Sequence, residues 1–170
     1  SIMAEQTGSN SVAASPTYNG VAFSQAVAQS ASYPNRHDSS IFYLKHADIP
    51  ASGAHDVSIN YANNVDQESN VCIFTLYNVA QFGVTIPDAT NSSADAGASS
   101  SISDNLTTNK ANAWVVELLA LGGSGTITPQ TGQTHRGGGS ANGHALLEVL
   151  TKEITVPGAN SFGLSYPSNT

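Results

Sequence analysis

The sequence predicts an all-β fold, a single antiparallel β-sandwich of jelly-roll-like type over residues 1–170, and three observations carry that expectation. Apolar segments of about eight residues recur along the chain, each bounded by Pro, Gly, Asn or Asp, which is the spacing of strands in a sandwich or barrel. Within several of them apolar and polar residues alternate with a period of two rather than 3.6. At 170 residues the chain is long enough for one core and short for two.

The first strong signal is "TYNGVAFSQAVAQ" (17–29), where Val21 and Phe23 fall on one side and Ala22, Ser24 and Ala26 on the other. Asn19-Gly20 marks a tight turn at its start, and "SASYPNRHD" after it reads as a loop. "SSIFYLKH" (39–46) and "HDVSINYA" (55–62) follow, the second with Val57, Ile59 and Tyr61 alternating against Asp56, Ser58 and Asn60. "SNVCIFTLYNV" (69–79) comes next, and its residues 71–77 are apolar almost throughout and read as a central strand. The small, polar stretch from Asp88 to Asp104 is expected to be a long surface loop leading into the strand "SISDNLTT".

"NAWVVELLALGG" (112–123) is the most apolar segment. Trp114, Val115 and Val116 favour a strand, and the glycines that follow leave little room for a helix. In "HALLEVLTKEITV" (144–156) the apolar positions mix two periods, so a strand and a short helix both remain open. "NSFGLSY" (160–166) alternates Phe162, Leu164 and Tyr166 with small or polar residues as a last strand.

Composition narrows the function classes. Only 10% of residues are charged, against about 25% in an ordinary soluble domain; the exterior must be built from hydroxyls, amides and glycine, as in extracellular and virion proteins. A net charge of −7 and no basic stripe argue against nucleic acid. No apolar run is long enough to span a bilayer as a helix. The start "SIMAEQTGSN" lacks the basic and apolar regions of a secretory signal, so either a leader has been removed or the chain was not exported by that route.

The residues with chemical potential form no recognisable catalytic set, and no cofactor is expected. Cys72, the single cysteine, excludes an intrachain disulfide and is expected to fill a small apolar space. "THRGGGSANGH" holds His135, Arg136 and His144 around glycines, but lacks the strand-to-helix context of a phosphate cradle; it is expected to be a flexible connection. His37-Asp38 and His55-Asp56 are adjacent pairs, which point to opposite faces of a strand; His46 and Asp48 would share a face if the strand continued. Asp66, Glu68, Asp88, Asp95 and Asp104 are expected in loops, solvated or holding Ca²⁺. Glu117, Glu148 and Glu153 fall on strands without defining a glycosidase pair. Asn91-Ser92-Ser93 and Asn105-Leu106-Thr107 are glycosylation sequons, so Asn91 and Asn105 are candidate acceptors.

Read in order, "PTYNGVAFSQA", "IFYLKHADIPASGAHDVSINY", "CIFTLYNVAQ", "PDAT", "NAWVVELLALGG" and "TGQTHR" resemble a jelly-roll-like β-sandwich domain found in phage virion proteins and secreted bacterial surface proteins. The match runs from roughly Ser15 to Tyr166. It implies a structural or adhesive role at an extracellular or virion surface and brings no catalytic residues. Members of that family open with a full apolar strand and close with another after the segment matching "SFGLSY". Here the opening holds only Ile2 and Met3, and the closing strand is absent or lies beyond the residues given.

An incomplete sandwich leaves backbone donors and acceptors unpaired along an edge, and a strand from a neighbouring subunit is one remedy. The leading expectation is a structural subunit of an extracellular filament or virion that associates with copies of itself, with Ile2, Met3, Phe162, Leu164 and Tyr166 at the assembly edge. The alternative is a carbohydrate-binding or adhesive module, with glycans as partners and Tyr18, Tyr33, Tyr43, Tyr77 and Trp114 as candidate platforms; here Trp114, in the most apolar strand, is expected to be core. A glycan hydrolase or lyase is the third.

Overall fold

The computed structural model describes residues 1–8, 12, 14–32, 35–80, 86–94, 100–122, 125–140, 143 and 145–166. It is all-β with antiparallel sheets, as the alternation requires. Among the described residues there is no α-helix, and so none long and apolar enough to cross a membrane.

Among the described residues thirteen strands run in chain order: β1 (Ile2–Gln6), β2 (Ala14–Tyr18), β3 (Val21–Ala22), β4 (Ser24–Ser32), β5 (Arg36–Tyr43), β6 (Val57–Tyr61), β7 (Glu68–Val71), β8 (Ser101–Thr108), β9 (Ala113–Gly122), β10 (Thr128–Pro129), β11 (Thr134–Gly139), β12 (Ala145–Ile154) and β13 (Gly158–Ser165). They form four sheets, ordered β4-β5-β1-β7, β10-β13-β8, β11-β12-β9 and β3-β2-β6. Asn19 and Gly20, with φ of 48° and 80°, make the predicted turn between β2 and β3; two successive positive φ values give the hairpin twist that Asn-Gly tolerates best.

The β11-β12-β9 sheet is the middle layer. On one face Leu147 and Ala120, paired across β12 and β9, pack with Leu118, Ala145 and Cys72 around Met3 of β1. On the other, Leu119 and Leu150 pack on Leu164, Ile102 and Tyr166, while Val115 and Ile154 pack on Phe162 and Leu106. Both faces of β12 are therefore covered, and Ala145 through Thr151 are all buried. A strand with no solvent face has no reason to alternate, which resolves the mixed period of 144–156 as a strand rather than a helix.

The strand that carries Ile2 and Met3 is interior to its sheet, contrary to the assembly edge expected there. β1 lies between β5 and β7, pairing Ile2 with both Ser40 and Val71, and Met3 with Ser39 and Asn70. β13 lies between β8 and β10, with Phe162 opposite Asp104 and Leu164 opposite both Ile102 and Pro129. Ile2, Met3, Phe162 and Leu164 are buried. Tyr166 donates its backbone N–H to Ser100 O at 2.9 Å and packs in the Leu164 cluster. Pairing within the chain covers both edges of β1 at Ile2 and Met3, whereas β10 covers the second edge of β13 only at Leu164 and Ser165.

A second correction concerns 69–79. β7 stops at Val71, and residues 72–80 belong to no strand. The apolar side chains expected at the centre of a sheet are instead exposed, with Ile73 at 63% and Tyr77 at 84%. The glycine-rich "THRGGG" reverses in the other direction. Expected as a flexible connection, it is strand β11, paired with β12 through a bulge between His135 and Gly137.

Candidate functional site

Where 72–80 leaves the sheet, a cleft of about 1540 Å³ opens between the layers. Its floor is β9, all ten of whose residues line it; β4 and β5 form one wall, and β8 with residues 86–94 another. Phe74 through Ala80 also line it. Cys72 exchanges backbone hydrogen bonds with Ser1, each 2.9 Å, at one end of this segment, and the Tyr43 hydroxyl donates to Ile86 O at 2.8 Å past the other. Among the described residues β9 pairs with β12 alone, so its second edge is turned to the cleft.

Three of the five aromatic residues considered as sugar platforms meet here. Tyr43, Tyr77 and Trp114 all line the cleft. Trp114, expected in the core, is 42% exposed, because the Met3 layer covers only the other end of β9. The Arg136 guanidinium stands 5.3 Å above its ring, held by a 2.7 Å hydrogen bond from Nε to Thr151 Oγ1. Tyr18 lies elsewhere, edge-on to His55 at 5.5 Å, and Tyr33 is outside the described residues.

The electrostatics centre on Glu117. Burial pushes its carboxyl above the ordinary value; a hydrogen bond from the Gln133 side-chain amide opposes this, nearby Asp104 adds to it, and Lys152 partly offsets it. Asp104 accepts from Asn91 Nδ2 at 2.8 Å. At another part of the lining Glu5 and His37 form a buried pair at 3.4 Å, and Asn35 Nδ2 donates to Glu5 at 2.6 Å.

The remaining candidates disperse. Asn91 and Asn105, fourteen residues apart, are neighbours: Asn91 Nδ2 also donates to the backbone oxygen of Asn105 at 2.8 Å. Both are exposed; Asn105 stands on strand β8, the strand expected for "SISDNLTT", and the Asn91 amide nitrogen is engaged twice. Glu68 and Asp104, expected in loops, are strand residues, and Glu68 is 3% exposed. Asp66 and Asp88 are in loops, where they accept the backbone N–H of Thr7 and Asn109, each at 2.8 Å. Asp95 and His144 lie outside the described residues.

His46 and Asp48 fall in a single 3₁₀ turn, His46–Asp48, not on a strand. His37 and Asp38 do face apart, one to Glu5 and the other to Arg36, Ser30 and the Val12 N–H. Glu148 is paired with His135. Among the described residues no three His, Cys, Asp or Glu side chains gather as a metal site.

Arg136 and Glu117 line the cleft and Gln133 bonds to Glu117, a grouping that sequence reasoning did not bring together. Arg136 stands in a stretch read as a flexible connection, and only the pairing of β11 with β12 sets it over Trp114. Comparison with protein-family models, with curated proteins and with solved structures finds no match to this chain.

Proposed function

We propose that this protein is a structural subunit of a surface assembly, an extracellular filament or virion component, that associates with copies of itself through β-strand pairing, on a jelly-roll-like sandwich. One observation carries the reading: residues 73–79 display Ile73, Phe74, Leu76, Tyr77 and Val79, each between 37% and 84% exposed, in a continuous run. From Ser69 to Pro87 the sequence contains no charged residue. Contiguous apolar surface of this kind marks interaction sites, and the pattern is one that soluble proteins otherwise guard with charge. The surface rich in hydroxyls and amides, and the two exposed sequons, fit an extracellular or virion setting.

Sedimentation velocity and negative-stain electron microscopy test it. The wild-type chain is expected to form concentration-dependent oligomers or polymers, and the double variant I73S/Y77S to lose them while keeping its β-sheet circular dichroism. A wild-type chain that stays monomeric at high concentration overturns the reading.

The gathering of Tyr43, Tyr77 and Trp114 on one cleft supports a second reading, a carbohydrate-binding or adhesive module. Sugars stack on aromatic faces, so Trp fluorescence would shift on adding oligosaccharide. An unchanged spectrum, together with an empty glycan array, removes this reading.

A further inference from the structure

We infer that the outer edge of β9 is the acceptor for residues 73–79 of a second copy, so that neighbouring subunits exchange this segment as an added strand in the cleft; the inference rests on the self-association proposed above and names its donor and acceptor.

Two features of the chain are complementary. β9 is ten residues long and turns one edge to the cleft, with no strand on that side among the described residues. A strand edge in an apolar cleft presents N–H and C=O groups that need partners. The 73–79 segment is of matching length, uncharged and rich in strand-forming residues. Ile73 and Tyr77 are its most exposed residues, at 63% and 84%, against 37–39% at Phe74, Leu76 and Val79.

Within its own chain the segment is tethered on both sides and forms no strand with β9 among the described residues. It emerges from the Cys72–Ser1 pairing and passes on to Ile86, which Tyr43 holds. A second copy has no such restriction. Its segment can lie along the β9 edge, where backbone pairing supplies affinity and the alternate side chains enter the cleft on one side, the geometry of strand addition. Reciprocal exchange closes a dimer, whereas exchange in one direction propagates a polymer.

The test replaces Tyr77 with the photoreactive p-benzoylphenylalanine in full-length chain, assembled from a mixture of ¹⁴N- and ¹⁵N-labelled subunits. After irradiation, the cross-linked peptides are mapped by mass spectrometry. The expected result is cross-links from position 77 to residues 113–122 that join labelled to unlabelled peptide, lost in the background variant L76D. Cross-links to 113–122 with a single label throughout mean that the segment closes on its own chain, and overturn the exchange. Cross-links that fall elsewhere, or none, in material that still assembles overturn the acceptor assignment and leave self-association standing. A sample with no assembly fails at the function itself.

Discussion

The carboxylate of Glu68 accepts the backbone N–H of Ala145 at 3.0 Å, across 77 residues of chain. It also takes the Ser140 hydroxyl at 3.1 Å and the Asn70 side-chain amide at 2.9 Å. Glu68 is 3% exposed and Ala145 fully buried, so these bonds fasten β7 to the start of β12 where no water can replace them. Hydrogen bonds to a buried charge contribute more than neutral ones, and orphaned donors cost their full desolvation. E68A is expected to lose about 3 kcal/mol, lowering the melting temperature by roughly 6–12 °C in a chain of this size. E68Q retains one acceptor oxygen and should fall between the two in a circular-dichroism melt.

Asp38 should dominate the acid limb of stability. Burial opposes its ionisation, but hydrogen bonds from Arg36, Ser30 and the Val12 N–H, with the Arg36 charge, outweigh it and hold the carboxyl below the ordinary range. A folded-state value below the unfolded one gives stability that is full above the unfolded value and lost as pH falls through the folded one. Urea denaturation should show D38N less stable than wild type at pH 7, with the gap narrowing toward pH 3. A constant gap across that range would contradict this.

Glu117 has the opposite sign. Its carboxyl is raised, first by burial, so the folded state holds a proton that the unfolded chain releases, and stability falls as pH rises from the unfolded value through the folded one. E117Q keeps a partner for the Gln133 amide and removes that loss. The variant is expected to match wild type near pH 4 and to exceed it at pH 7, again by urea denaturation; a variant less stable at pH 7 would show that the charged form is the one the fold favours.

Gly138 and Gly139 are neighbours on β11 with different expectations. A Cβ on Gly138 would stand 2.0 Å from Leu147 O and 2.8 Å from Glu148 Cα, at φ +153°. On Gly139, at φ +139°, it would meet nothing within 4 Å. G139A bears only the backbone strain, about 1–2 kcal/mol, whereas G138A adds a clash with backbone and should exceed about 3 kcal/mol. Equal melting temperatures for the two variants would show that β11 shifts freely.

The parts of the fold visible in the sequence are those with one wet face. "VSINY" and "SISDNLTT" alternate because one side of β6 and of β8 meets solvent, and Asn19-Gly20 is readable because the turn itself selects those residues. β12 lost its period by being covered on both faces. Residues 73–79 are also largely apolar, yet they stand exposed among the described residues; composition records that a segment is suited to burial and not which molecule buries it. The cleft was legible only as a scatter of aromatics. Arg136 over Trp114, and Gln133 on Glu117, depend on cross-strand register in a stretch whose glycines resemble a loop.

The mutual backbone bonds between Ser1 and Cys72 have a mechanical meaning. Residue 73 follows directly from β7, whose Val71 to Glu68 are set antiparallel against Ile2 to Glu5. If a neighbour holds the 73–79 segment, tension along β7 enters the protein at that ladder, in shear, where several hydrogen bonds resist together instead of opening one after another. The sheet centred on β1 would then carry the pull, leaving the cleft and its side chains outside the path of force.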